Sequence, residues 1–221
     1  MIPATFRVVL DANALYPFSL RDTLLRSAAK GLFQAYWSEK ILGEAVRNLV
    51  DSKTMTEAQA KHLLSAMARA FPEALVSGYE PLEAAMKNDE KDRHVAAAAV
   101  KAGAQVIVTD NLDDFRDLPD GIEAQSSDDF LCNLFDLDPD GMVDLVQNQA
   151  ADLKRPPRTF PELLAGLAKL VPDFVAAIRG HVEKQETREA DEPPAKRAPR
   201  TKKRPPGKTP PKGGPRRRRK R

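Results

Sequence analysis

One cysteine, Cys132, and three histidines, His62, His94 and His181, are the whole supply of those two residue types in 221 residues. A disulfide framework and any multi-cysteine zinc site are thereby excluded, and a reducing compartment is implied. No run approaches the roughly 18 uninterrupted apolar residues of a membrane span. The opening Met1-Ile2-Pro3-Ala4-Thr5-Phe6-Arg7 has no basic segment followed by an apolar stretch. These absences predict a soluble, cytoplasmic protein without a membrane partner. With few serines in settings that suggest a nucleophile, any chemistry falls to carboxylates.

Charge of one sign is missing from the end of the chain. Residues 191–221 hold 14 of the 35 Lys and Arg against only Asp191 and Glu192, a net of +12, whereas 21 basic and 30 acidic residues leave −9 on the first 190. The same segment contains eight prolines and no aromatic residue, Ile, Leu or Val, so nothing in it offsets the entropy of ordering the backbone. A disordered polycation is expected from about Thr187 onward. Its closing run, Arg216, Arg217, Arg218, Arg219, Lys220 and Arg221, is the candidate nucleic-acid contact.

Ahead of that tail, β-rich and helical patterns alternate. Arg7-Val8-Val9-Leu10 and Val106-Ile107-Val108-Thr109 read as buried strands that end at Asp11 and Asp110, with weaker strands near Ala74 to Ser77 and Ile122 to Ala124. Leu20, Thr23, Leu24, Ser27 and Ala28 recur at helical spacing and stop at Gly31. Ser38 caps a helix with Ile41, Leu42, Ala45, Val46 and Leu49 inside, and Thr56 with Gln59 forms a capping box. The run Val95-Ala96-Ala97-Ala98-Ala99-Val100, closing at Gly103, is apolar all round and predicts a sandwiched helix. Such alternation predicts an α/β fold with a mainly parallel sheet covered on both faces. From Ser127, expected as a helix cap, the chain is helical only, with a start at Pro139 and a second capping box at Thr159 and Glu162.

In an open parallel sheet, ligands sit outside the carboxyl ends of the strands, so Asp11 and Asp110 are expected at one edge. Asp92 alone reads as a helix N-terminal acid complementing the dipole. Glu44 alone reads as a solvated helix residue, although it borders the apolar face of its helix. Taken together, acids that end two strands, open a helix and flank a core face converge on one pocket, where they repel unless a cation sits among them. Mg²⁺ or Mn²⁺ suits such a site, since hard ions take a few carboxylates and keep waters for chemistry.

Four strings carry a resemblance. Val8-Val9-Leu10-Asp11-Ala12-Asn13, Tyr36-Trp37-Ser38-Glu39-Lys40-Ile41-Leu42-Gly43-Glu44, Lys91-Asp92-Arg93-His94 and Ile107-Val108-Thr109-Asp110-Asn111-Leu112-Asp113-Asp114-Phe115 are similar, in order and spacing, to the motifs of PIN-domain nucleases. The resemblance is in particular to the VapC-like endoribonucleases that act as toxins of type II toxin-antitoxin systems. The resemblance implies an α/β/α sandwich over residues 1–127, followed here by a helical extension at 128–186 and the basic tail at 187–221. It implies a Mg²⁺- or Mn²⁺-dependent ribonuclease with Asp11, Glu44 and Asp92 as its acids and Asp114 as the preferred fourth. Asp110 stays open as the alternative ligand, and Asn13, Thr109 and Asn111 are the implied polar supports. An RNA substrate, a cognate antitoxin protein and a homodimer are the implied partners. Two residues from Asp92, His94 points about 200° away from it on a helix, which favours a structural or rim role over a general acid. Tyr36 and Trp37 read as core aromatics before base-stacking ones. The competing class is a non-catalytic, regulatory nucleic-acid binder with a histone-like tail.

Overall fold

A computed structural model describes residues 6–154 and 156–191, with side chains through residue 188. The basic run from Arg216 to Arg221 lies outside the described residues. Strands β1 (Arg7–Leu10), β2 (Gln34–Ser38), β3 (Leu75–Val76), β4 (Val106–Val108) and β5 (Glu123–Gln125) form one parallel sheet in the order β3-β2-β1-β4-β5. Parallel neighbours need long crossovers, and helices supply most of them. Helices α1 (Ala12–Leu15) and α2 (Phe18–Ala29) join β1 to β2, and α3 (Glu39–Asp51) and α4 (Glu57–Ala70) join β2 to β3. The β3 to β4 crossover carries α5 (Glu80–Glu83) and α6 (Arg93–Ala102), and a 3-10 turn at Leu112–Phe115 lies between β4 and β5. The fold is α/β with helices on both faces of the sheet, as the alternation predicts.

The central strands are buried apart from Arg7 at the start of β1, with Val8, Val9 and Leu10 on β1 and Ile107 and Val108 on β4 fully enclosed. Helix α6 packs on β1, β2 and β4, and its Val95-to-Ala99 run has no exposed surface. Small side chains all round let it sit that close. The expected caps form: Ser38 Oγ accepts from the Ile41 amide at 3.2 Å, the Thr56–Gln59 and Thr159–Glu162 boxes close reciprocally, and Gly103 takes the left-handed φ of 62° that ends α6. One cap moves. Ser126, extended after β5, is the N-cap of α7 (Ser127–Leu137) and accepts from the Asp129 amide at 3.1 Å, while Ser127 is already helical and its hydroxyl is buried without a partner.

Helices α8 (Pro139–Asp152), α9 (Phe160–Leu167) and α10 (Pro172–Asp191) are packed into the same core rather than appended to it. Gln149 of α8, fully buried, accepts from Thr23 Oγ1 at 2.8 Å and donates to the Ser19 carbonyl at 2.9 Å, so α2 is tied to α8 by a satisfied polar contact. Asp128 receives the Asp173 and Phe174 amides at 3.0 and 2.8 Å and thereby caps α10 from α7. Phe33 packs edge-on against Phe130, joining the sheet to α7. Helix α10 runs on to Asp191, beyond the composition change at Thr187. Among the described residues no helix is long and apolar enough to cross a membrane.

Candidate active site

The order β3-β2-β1-β4-β5 reverses direction between β1 and β4, and the crevice at the carboxyl ends of those two strands is where open α/β sheets bind ligands. Asp11 follows β1 directly and its amide donates to the Val108 carbonyl at 3.0 Å, which locks it beside the end of β4. The Asp11 carboxylate is 5% exposed. Oδ1 accepts from the Ala12 amide at 2.6 Å and Oδ2 from Thr109 Oγ1 at 2.8 Å. Burial pushes the Asp11 carboxyl up, against the lowering effect of those two hydrogen bonds and of His94.

Thr109, fully buried, organises this edge. Its Oγ1 donates to Asp11 and accepts from Asn13 Nδ2 at 2.9 Å and from the Asn111 amide at 3.2 Å. Asn13 also accepts the Asp110 amide at 3.1 Å, so the two polar supports fasten the β4 loop to α1. Asn111 Nδ2 donates to Asp114 Oδ2, and the Asp89 amide donates to the Asp114 carbonyl at 3.1 Å. The 3-10 turn is thus sewn to the segment before α6.

Asp92 sits at the N-cap of α6 yet accepts no capping hydrogen bond from the helix. Its carboxyl is pushed up to about 6 by burial and then by the charges of Asp11 and Asp114. The N-terminal acid reading is therefore insufficient for Asp92. Glu44 of α3 contributes to the same field, raising Asp11, and its Oε2 lies 3.2 Å from His94 Nε2. Charge couples Asp11 to Glu44 and Asp92, and Asp92 to Asp114, across four segments of the chain. Asp110 Oδ1 accepts the Ser127 amide at 2.9 Å, at the start of α7. His94, expected in a structural or rim role, is 1% exposed, which fits the structural one. Trp37 is buried against Phe71, and Tyr36 is half-buried with its hydroxyl toward Gln34.

The donors are all carboxylate oxygens whose mutual repulsion a hard divalent ion relieves, and Asp11 keeps lone pairs beyond the two its hydrogen bonds use. Among the described residues no three His, Cys, Asp or Glu side chains enclose an ion by themselves. Mg²⁺ characteristically takes one or two carboxylates and completes its shell with water and phosphate oxygens, which suits this donor set.

Fold and site together define a doubly wound α/β domain with an acidic cluster at its switch point. Residues 7–113 match the family described as PIN domain, and residues 127–180 match the VapC50 C-terminal domain. Over those residues the chain is similar to PIN-domain proteins of the VapC-like kind. It is 42% identical over 109 residues to a Mycobacterium tuberculosis protein named "Putative ribonuclease VapC50". That alignment spans 48% of this chain and 64% of the relative.

Proposed function

We propose that the protein is a metal-dependent endoribonuclease and the toxin of a toxin-antitoxin pair. The observation that carries this reading is the convergence of Asp11, Asp92 and Asp114 at the β1/β4 switch point, where burial and mutual repulsion hold Asp92 near 6. RNA as substrate is supported by the name of the Mycobacterium tuberculosis relative, a putative ribonuclease, and an antitoxin as partner by the resemblance of the four motifs to VapC-like toxins.

Asp11, Asp92 and Asp114 would hold Mg²⁺ or Mn²⁺. When bound, the ion supplies Lewis acidity, lowering the pKa of a water and neutralising charge on the scissile phosphate. Asp92 must give up its proton to serve as a ligand, so it acts only as a carboxylate. Glu44 accepts the proton that the attacking water loses. Thr109 and Asn13 hold Asp11 in place, and Asn111 holds Asp114. The basic tail supplies long-range attraction for RNA that a body of net −9 would otherwise repel.

This chemistry does not use the ribose 2′-OH as nucleophile. The test is cleavage of an RNA with and without Mn²⁺, followed by replacement of the ribose at the cleaved position with 2′-deoxyribose. Cleavage that needs the ion and survives the replacement supports the proposal. Ion-independent cleavage leaving a 2′,3′-cyclic phosphate overturns it. Growth arrest on induction in a bacterial host, relieved by Asp11→Asn, tests the toxin assignment.

A further inference from the structure

We infer that His94 is a positioning residue for Glu44, holding the proton-accepting carboxylate of the proposed nuclease in one rotamer; the inference rests on that reading. Helix geometry separates the directions of Asp92 and His94 at the start of α6. Asp92 faces Asp114 and Asp11, whereas His94 meets α3 through Glu44. One turn of α6 therefore serves both halves of the acid cluster.

The ring is fixed on both nitrogens. Nδ1 lies 2.8 Å from the Lys91 carbonyl oxygen, and Nε2 lies 3.2 Å from Glu44 Oε2. A carbonyl oxygen can only accept, so Nδ1 carries a proton and donates it. For Glu44 to act as a carboxylate, the proton between Nε2 and Oε2 must sit on Nε2, which then donates to Oε2, because two bare acceptors would repel at that distance. With the imidazole 1% exposed, neither contact is exchanged for water at little cost. The Glu44 side chain is 29% exposed and has no second hydrogen-bonding side chain among the described residues. Its direction is therefore set by His94, while its other oxygen remains open to solvent and substrate. A bare glutamate on an exposed helix face would sample several rotamers and lose that alignment.

The test uses the full chain with four variants: Glu44→Ala, His94→Asn, His94→Gln and the double Glu44→Ala/His94→Asn. Glutamine places an amide N–H where Nε2 stood; asparagine is too short to reach Glu44. Glu44→Ala should lower kcat about 100-fold. His94→Asn should lower it roughly 10- to 100-fold with KM little changed, His94→Gln should recover most of that loss, and the double variant should be no slower than Glu44→Ala. Without any metal or substrate, the ring ¹⁵N and ¹H resonances of His94 should move in Glu44→Ala, which keeps the histidine and needs no activity to read. Multiplying losses in the double variant, equal losses for Asn and Gln, or ring resonances unmoved by Glu44→Ala would each overturn the inference. Full activity of Asp11→Asn would instead take down the nuclease reading and leave the resonance measurement to decide the His94–Glu44 contact.

Discussion

Asp92 heads α6, Asp114 lies in the 3-10 turn after β4, and the charge of Asp114 helps to push the Asp92 carboxyl up. Two carboxyls so placed cannot both carry full charge without a proton or a cation nearby. The fold sets this juxtaposition, through the Asp89 amide bound to the Asp114 carbonyl and Asn111 bound to the Asp114 side chain.

Stability of the metal-free protein should therefore fall as pH rises. Asp92 titrates at about 6 in the fold against an ordinary 3.8, so between those values the folded state binds more protons than the unfolded one. Its destabilising effect grows across that window and is complete above it. Asp92→Asn should raise stability at pH 7.5, on the order of 1 kcal/mol once solvent screening is allowed for, and leave it nearly unchanged at pH 4. Urea melts in chelator at the two pH values measure this; an equal effect at both would refute it.

Asp114 and Asp110 should separate cleanly. Asp114→Asn should cost about 100-fold or more in cleavage with little loss of stability. Asp110→Ala removes the acceptor of the Ser127 amide and should cost about 1 kcal/mol of stability while retaining cleavage. The opposite ranking would move the fourth ligand to Asp110.

Thr109→Val keeps the side-chain shape but strips one hydroxyl from three partners, Asp11, Asn13 and the Asn111 amide. Roughly 2 to 3 kcal/mol of stability should go, and cleavage with it, whereas Thr109→Ser should keep most of both. Chemical denaturation beside a cleavage assay decides; a valine variant as stable as the parent would contradict the role given to Thr109.

Much of the fold is legible because its signals are local. The Thr56–Gln59 and Thr159–Glu162 boxes, Gly103 and the uniformly apolar α6 each declare themselves within a few residues. What was illegible joins distant segments. The Thr23–Gln149 hydrogen bond spans 126 positions, so the C-terminal helices read as an extension although they complete the core. Asp92 and Asp114 are individually unremarkable acids, and only the order of the strands brings them together. For His94 the helical spacing shows only that it points away from Asp92. That α3 lies on the other side, offering Glu44, depends on tertiary packing. That Ser126 rather than Ser127 is the cap depends on where β5 ends, which its pairing with β4 sets.

The tail prediction concerns affinity rather than chemistry. If about six of the basic residues in 191–221 engage phosphates together, log K for a duplex should fall with log salt at a slope near −5. Truncation at residue 190 should flatten that slope and weaken binding while the metal requirement of cleavage persists. Matching slopes for the two forms would assign the tail to another partner.

The most direct test of the carboxylate centre is Mn²⁺ binding and RNA cleavage by the parent chain and Asp11→Asn, compared on folded protein of equal secondary structure. The account predicts that the parent binds Mn²⁺ and cleaves only with it, and that the variant folds but loses both. A folded Asp11→Asn protein that binds the ion and cleaves at the parental rate would contradict it.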